Sequence, residues 1–263
     1  METERDTDEG GTGTLGKAMA VLETVTLAER PMRFTDVLAV TRQPRGTLHR
    51  QLSHLVREGL LDLTPDHVYV PGLRLLKLAA ASWARNDFRV VAAPHLERLH
   101  GHTGETVHLG VLRGREIIYL DKVESRQAVR MNSQIGNASP AYCTGIGKAA
   151  LSALPPAALD AALRGPERRR YTPNTITALP ALLAEFETVR TEGVAFDREE
   201  HEPGIRCVAA PIRDVEGTFF AGISVTGPAY RVSQEQLALW APQVVEAARA
   251  IMAELPARLG PQR

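Results

Sequence analysis

The stretch Gln43-Pro44-Arg45-Gly46-Thr47-Leu48-His49-Arg50-Gln51-Leu52-Ser53-His54-Leu55-Val56-Arg57-Glu58-Gly59-Leu60-Leu61 reads as one short helix with two unlike sides. Leu48, Leu52, Leu55 and Val56 recur at spacings of four and three, which makes a single apolar stripe. The opposite side carries Arg45, Thr47, His49, Arg50, Ser53 and Arg57, and no acidic residue stands between Arg42 and Glu58. Pro44 suits the first helical position, where a missing N–H costs nothing. Gly59 suits a left-handed stop. A helix that is apolar on one side and basic with hydroxyls on the other fits the major groove of DNA. An ordinary solvated amphipathic helix has the same pattern, so the flanking segments decide.

Upstream, Leu15, Ala18, Met19, Leu22 and Val25 mark an amphipathic helix that ends near Glu29-Arg30-Pro31. Phe34 to Val40 gives a short second helix, with Thr35 as its expected cap. Thr41-Arg42-Gln43 is the turn into the third. Downstream, Leu60–Thr64 and Val68–Val70 flank Pro65-Asp66, the pattern of a hairpin. Three helices and a hairpin make a winged helix-turn-helix, predicted over residues 15–72. Arg45 and Arg50 are the expected base-edge contacts, because a guanidinium matches guanine O6 and N7. Thr47, His49 and Ser53 are placed at phosphates or thymine methyls. Arg42 and Arg57, near the helix ends, are placed at phosphates, with a surface pairing to Glu58 or a neighbour the equal alternative for Arg57.

The chain has 263 residues, 44% hydrophobic and 24% charged, with no net charge. That is enough for two domains with cores. A neutral molecule has no global field toward nucleic acid, so DNA binding must come from a local patch. Cys143 and Cys207 make no disulfide framework and fit a reducing cytoplasm. No apolar run reaches membrane-spanning length, so no membrane association is expected. Met1–Thr14, acidic and rich in Thr and Gly, is expected to be a disordered tail.

After Pro71-Gly72, residues 73–87 read as a linker helix whose apolar load exceeds what a free linker needs; packing against a second copy or on the chain's own first helix accounts for it. A new domain is predicted over 88–255, with a flexible tail over 256–263. It opens with a helix from Phe88 to Leu99 that stops at Gly101 to Gly104. Strands follow over 105–113, 116–123 and 128–131. A helix opens at Thr144, others cover 155–163 and 179–192, strands cover 194–197, 207–212 and 219–226, and a helix closes the chain from Gln234. This order gives an α+β fold with an antiparallel sheet.

Gly145, Ile146 and Gly147 leave N–H groups at a helix start, where the helix dipole favours a carboxylate or other anion. The two glycines also leave room beside the backbone, or serve only packing. Glu199-Glu200-His201-Glu202 lacks two histidines at helical spacing and reads as a solvated charge cluster. Cys143, Cys207 and His108 have no spacing that requires a metal, and no phosphate loop or dinucleotide fingerprint is present. No metal, cofactor or catalytic residue is predicted. The competing class is an enzyme with Cys207 as thiol nucleophile.

From Leu15 to about Leu255 the chain resembles the IclR family of bacterial transcriptional regulators. The resemblance rests on Leu15-Gly16-Lys17-Ala18, Pro44 to Arg50, Glu105-Thr106-Val107-His108-Leu109, Tyr119 to Ser125, Thr144-Gly145-Ile146-Gly147-Lys148-Ala149, Gly204 to Pro211, and Ser224 to Pro228. It implies a GAF-like effector domain joined by the linker helix to the DNA-binding domain, and a homodimer or homotetramer. It implies an effector pocket of Thr144, Gly145, Ile146, Asp197, Cys207, Ser224 and Thr226, with Met131 in its apolar wall. Ser224 and Thr226 share a strand face, and Asp197 should prefer a ligand carrying a donor. The function so implied is a cytoplasmic ligand-responsive regulator, acting as a repressor, that binds a roughly palindromic double-stranded operator and a small organic acid. Two departures stand out. Gly46 replaces the usual Ser, and Val70-Pro71-Gly72 replaces Arg-Leu-Gly, so the wing lacks a basic side chain.

Overall fold

The computed structural model describes residues 13–128, 133–165 and 167–258. They form two compact units that divide between Arg85 and Asn86. Met131, and all but Ala128 of the strand expected over 128–131, lie outside the described residues, as does most of the expected N-terminal tail.

The first unit contains α1 (Gly13–Thr26), β1 (Met32–Arg33), α2 (Phe34–Thr41), α3 (Arg45–Arg57), β2 (Leu61–Leu63), β3 (Val68–Pro71) and α4 (Leu73–Ala84). Val21, Leu22 and Val25 of α1 pack with Val37 of α2, Leu48, Leu52 and Leu55 of α3, and Leu61 of β2. The apolar stripe of the third helix is thus the core of this unit. The hairpin gains a third strand, β1, which pairs antiparallel with β3. At two residues, β1 is too short to leave a period in the sequence. At the start of α2 the cap is not Thr35: Asp36 accepts the Arg33 N–H at 2.8 Å. Pro44 stands one residue before α3, as its cap with φ −56° and ψ 132°.

The end of α3 is fixed by backbone geometry. Gly59 has φ +69°. Its N–H donates to the Val56 carbonyl, and the Leu60 N–H donates to the Leu55 carbonyl, both at 2.9 Å. This is a Schellman stop. Replacing Gly59 with Ala places a Cβ in the left-handed region, at a cost of about 1–2 kcal/mol. The urea midpoint followed by Trp83 fluorescence, with Trp240 changed to Phe, should fall accordingly; an unchanged midpoint contradicts the assignment.

The second unit begins with α5 (Asp87–Thr103), where Asn86 accepts the Arg89 N–H at 3.0 Å. That cap separates α5 from α4, so the helical linker stops at Ala84, short of residue 87. The α5 helix passes Gly101 and ends at Gly104, with φ +68°. Next come β4 (Thr106–Arg113), β5 (Glu116–Val123), β6 (Ala138–Pro140), α6 (Gly145–Ser152), α7 (Pro156–Leu163), α8 (Leu179–Glu192), β7 (Ala195–Arg198), β8 (Ile205–Arg213), β9 (Phe220–Pro228) and α9 (Gln234–Arg258). The last helix runs three residues into the expected C-terminal tail, and α1 starts two residues inside the expected N-terminal one. The strands form one antiparallel sheet in the order β6-β5-β4-β9-β8-β7.

Alternation along the strands sorts the two faces. Val107, Leu109 and Val111, with Val208, Ala210 and Ile212, pack against α5 and α9. On the other face Ala209 and Ala195 join the helices α6, α7 and α8. Gly110 and Gly222 stand opposite each other. Their missing side chains let Ile146 of α6 lie against the sheet: a Cβ on either would meet its Cγ2 at 3.0–3.3 Å. The winged unit and this α+β unit together give the fold class expected from the sequence.

Candidate functional site

Each of the two units carries one candidate functional surface. In the winged unit, Arg42, Arg45, Gly46, His49, Arg50, Ser53 and Arg57 are exposed, and Thr47 is half-buried at the edge of the same face. Arg42 takes the left-handed conformation, φ 52°, in the turn that links α2 to α3. The Arg45 guanidinium lies 5.1 Å from the centre of the Phe34 ring, and the His49 ring stands 6.2 Å from the same ring. Phe34 thus holds two of these side chains at the start of α3, a contact that sequence periodicity does not reveal. Ser53 Oγ donates to the His49 carbonyl at 2.8 Å, leaving its lone pairs to accept from a partner. Among the described residues no side chain caps the N-terminus of α3, and no acidic residue stands in its first turn. Its first N–H groups therefore favour an anion such as a phosphate. Gln51, expected on neither face, is buried in the helix interior with Oε1 unpartnered among the described residues.

In the second unit, strand register assembles one row of side chains. Asp197 of β7 stands opposite Cys207 of β8, which stands opposite Thr226 of β9, which stands opposite Thr106 of β4. Two residues along, Ser224 faces His108. The N-terminus of α6 closes over this row. Thr144, Gly145, Ile146, Asp197, Cys207, Ser224 and Thr226 all line one cavity of about 130 Å³. The structure brings together every described residue of the expected pocket.

Two details differ from the sequence expectation. A Cβ on Gly145 would stand 2.2 Å from Cys207 Sγ, and one on Gly147 would stand 2.1 Å from the Ala141 carbonyl oxygen. Both glycines are required for packing α6 onto its neighbours, and Gly145 also lines the cavity. The charge run 199–202 is not all solvated either. Glu200 is buried, and its carboxylate accepts from Lys148 Nζ at 2.6 Å. His201 and Glu202 line the cavity.

Sequence reasoning also missed His108, Tyr119 and Ser133, which line the cavity opposite Asp197's strand. His108 Nε2 lies 2.7 Å from Ser133 Oγ, and its ring stands 5.2 Å from that of Tyr119. Burial, aided by Lys122, pushes the His108 pKa down to about 4, so the imidazole is neutral at physiological pH. A signal existed: alternation in β4 puts His108 on the face of Thr106 and Gly110, away from Val107 and Leu109.

The electrostatics of the cavity are set by burial. It pushes the Cys207 thiol up to about 12, with the Asp197 charge adding to the rise. It pushes Cys143 to about 12 for the same first reason. Neither sulfur is a thiolate near neutral pH, so neither is an activated nucleophile. Asp197 is raised by burial to about 7. Among the described residues, no cluster of His, Cys, Asp or Glu has metal-binding geometry.

The fold and the two surfaces define a class: a DNA-binding winged helix-turn-helix followed by a small-molecule-type pocket domain. The helix-turn-helix profile of the IclR family matches residues 14–65, and the profile of the bacterial transcriptional regulator IclR C-terminal domain matches residues 80–253. The chain belongs to the IclR family of bacterial transcriptional regulators. It is 33% identical over 243 residues to the HTH-type transcriptional regulator BhcR of Paracoccus denitrificans, covering 92% of this chain and 87% of that one. It is 33% identical over 228 residues to KdgR of Escherichia coli, covering 86% of this chain and 87% of the relative. Among solved structures, the IclR protein of Thermotoga maritima superposes with a TM-score of 0.70 at 33% identity, over 92% of this chain and 98% of that one. An IclR homologue from Microbacterium hydrocarbonoxydans, solved with 4-hydroxybenzoate, superposes with a TM-score of 0.78 at 26% identity, over 93% and 100%. The chain is accordingly a regulator of transcription of the ligand-responsive IclR type.

Proposed function

We infer that the protein is a cytoplasmic homo-oligomeric repressor. It reads a roughly palindromic operator with paired copies of α3 and senses a small organic acid in the cavity under α6. The observation that carries the effector half is convergence: seven residues spread from 144 to 226 meet around one cavity with a helix N-terminus at its wall. A relative's 4-hydroxybenzoate supports an organic acid as the ligand class. For the DNA half, the exposed side of α3 carries arginines and hydroxyls with no competing carboxylate. Arg45 and Arg50 are assigned to base edges, Thr47, His49 and Ser53 to phosphates or thymine methyls, and Arg42 and Arg57 to phosphates. Gly46 brings the backbone close to a phosphate. Self-association is assigned to α4, which buries none of its residues and leaves Leu73 79% and Leu76 68% exposed. A second copy would remove that apolar surface from water.

Selection of bound sequences from a random duplex library by the full chain tests this. The expected product is an inverted repeat whose affinity shifts at least fivefold with one member of an organic-acid panel. Failure to enrich any sequence contradicts the DNA assignment. The protein is not expected to act as an enzyme: the same acids should be recovered chemically unchanged, and turnover would favour the alternative with Cys207 as nucleophile.

A further inference from the structure

Asp197 lies in the cavity wall and is 6% exposed. Its Oδ1 accepts the Glu200 N–H at 2.7 Å. No cation pairs with it among the described residues. The buried Lys148 behind it is already shared, 2.8 Å from Glu185 and 2.6 Å from Glu200. Arg198, next in the chain, pairs with Glu185 at 3.2 Å.

The other groups around Asp197 offer no positive charge. Cys207 of β8 and Cys143 before α6 are neutral thiols, and Tyr119 of β5 is a neutral phenol, pushed up to about 12. His108 of β4 is neutral, and burial lowers His201 as well. Glu200 and Glu202 add negative charge, and Glu200 Oε2 is itself buried with no partner among the described residues. An ionised Asp197 therefore adds a carboxylate to a site with one shared cation. A ligand anion placed at the nearby start of α6 would add another. Like charges in a buried site disfavour ionisation.

We propose that the pocket takes a small carboxylate together with one proton, with Asp197 bound as the neutral acid and donating its O–H to a ligand oxygen beside that carboxylate. The ionised side chain, the ligand anion and a proton from solvent combine, and no other bond changes. The ligand class is an acid with an acceptor on the neighbouring carbon, a 2-oxo or 2-hydroxy acid. This reverses the polarity expected for an ionised aspartate, which would select a ligand donor such as an ammonium. The inference rests on the effector-pocket reading above.

The test is calorimetric titration of the full chain with pyruvate, lactate, propanoate, alanine and 4-hydroxybenzoate. The first four share three carbons and differ at C2 in carrying an oxo, hydroxyl, hydrogen or ammonium group. Titrations run from pH 6 to 8.5 in phosphate and in Tris, whose ionisation heats differ. The oxo or hydroxy acid should bind best, with Kd rising about tenfold per pH unit above pH 7. Uptake should approach one proton at pH 8.5. Asp197→Asn carries a permanent neutral donor, so it should bind about tenfold or more tighter than the wild type at pH 8.5, without proton uptake. Binding with a pH-independent Kd and no uptake overturns the proposal while leaving the effector pocket standing. So does a preference for alanine, or uptake that persists in Asp197→Asn and assigns the proton to another group. Absence of binding by all five acids contradicts the pocket and the proposal together. The wild-type proton count stands even if the variant fails to fold.

Discussion

Replacing Arg45 and Arg50 together with Ala should weaken binding to the selected operator by about 30-fold to 10⁴-fold. Each arginine in bidentate contact with a guanine contributes about 1–3 kcal/mol of discrimination, and two independent contacts give about 2–6 kcal/mol. The arginines differ in how they are held. Arg45 is stacked beside Phe34 at 5.1 Å, so part of its rotamer freedom is already lost before DNA arrives. Arg50, on the next turn, has no such support among the described residues. Phe34→Leu should therefore weaken binding through Arg45 while leaving the Arg50 contribution unchanged, a split that a double-mutant cycle resolves. Arg42→Ala and Arg57→Ala should act differently. Phosphate contacts carry no sequence information, so each replacement should lower the salt slope by about one and affect all sequences alike. Mobility-shift titrations at several salt concentrations measure both. If the double arginine variant keeps full affinity and full preference for the inverted repeat, α3 is not the reading element.

These expectations follow from a helix whose role was legible in the sequence. Leu48, Leu52 and Leu55 gave α3 a period, Gly59 gave it an end, and the absence of acid between Arg42 and Glu58 gave it a charged side. Strand alternation likewise placed Ser224 and Thr226 on one face. What stayed hidden needed knowledge of pairing. Asp197, Cys207 and Thr226 form a row only because β7, β8 and β9 are neighbours in a specific register. Composition cannot supply a register, because a shift of one residue would turn every side chain to the other face. Met131, expected in the same wall, lies outside the described residues.

The α6 helix was opaque for a different reason. Every residue from Gly145 to Ser152 is buried. A helix covered on all sides has no polar face, so no period distinguishes its inner residues. The local sequence therefore does not mark Lys148 as fully buried. Its partners Glu185 and Glu200 are far along the chain, and no local spacing connects them. The glycines were ambiguous for a related reason. Gly145 and Gly147 are compatible with an open ligand site and with tight packing; the distances to Cys207 and Ala141 show the packing, and Gly145 lines the cavity as well.

Lys148→Met should cost about 3–5 kcal/mol of stability at pH 8, the usual penalty for removing one partner of a buried pair. Lys148 is 0% exposed, and the side chains of its partners Glu185 and Glu200 are 17% and 3% exposed. Its ammonium, together with the Arg198 guanidinium, keeps the Glu185 carboxyl below its ordinary range against the effect of burial. In Glu200, burial already outweighs Lys148 and raises the carboxyl. With the ammonium gone, both folded-state pKa values move upward. A carboxyl whose folded pKa lies above its unfolded value stabilises the fold below the unfolded pKa and loses that contribution as pH rises through the folded one. The deficit of Lys148→Met should therefore be smaller at pH 5 than at pH 8. Adding Glu200→Gln, which removes the more buried charge, should recover part of the loss at pH 8 and little at pH 5. The effect should reach the cavity as well, since the Glu200 N–H donates to Asp197 and a displaced Glu200 withdraws that support. Urea unfolding of the full chain at the two pH values, followed by Trp240 fluorescence with Trp83 changed to Phe, measures the deficit. A loss that is equal at both pH values and not recovered by Glu200→Gln would mean that Lys148 contributes through the packing of its alkyl chain, and that the buried charges are balanced by other groups.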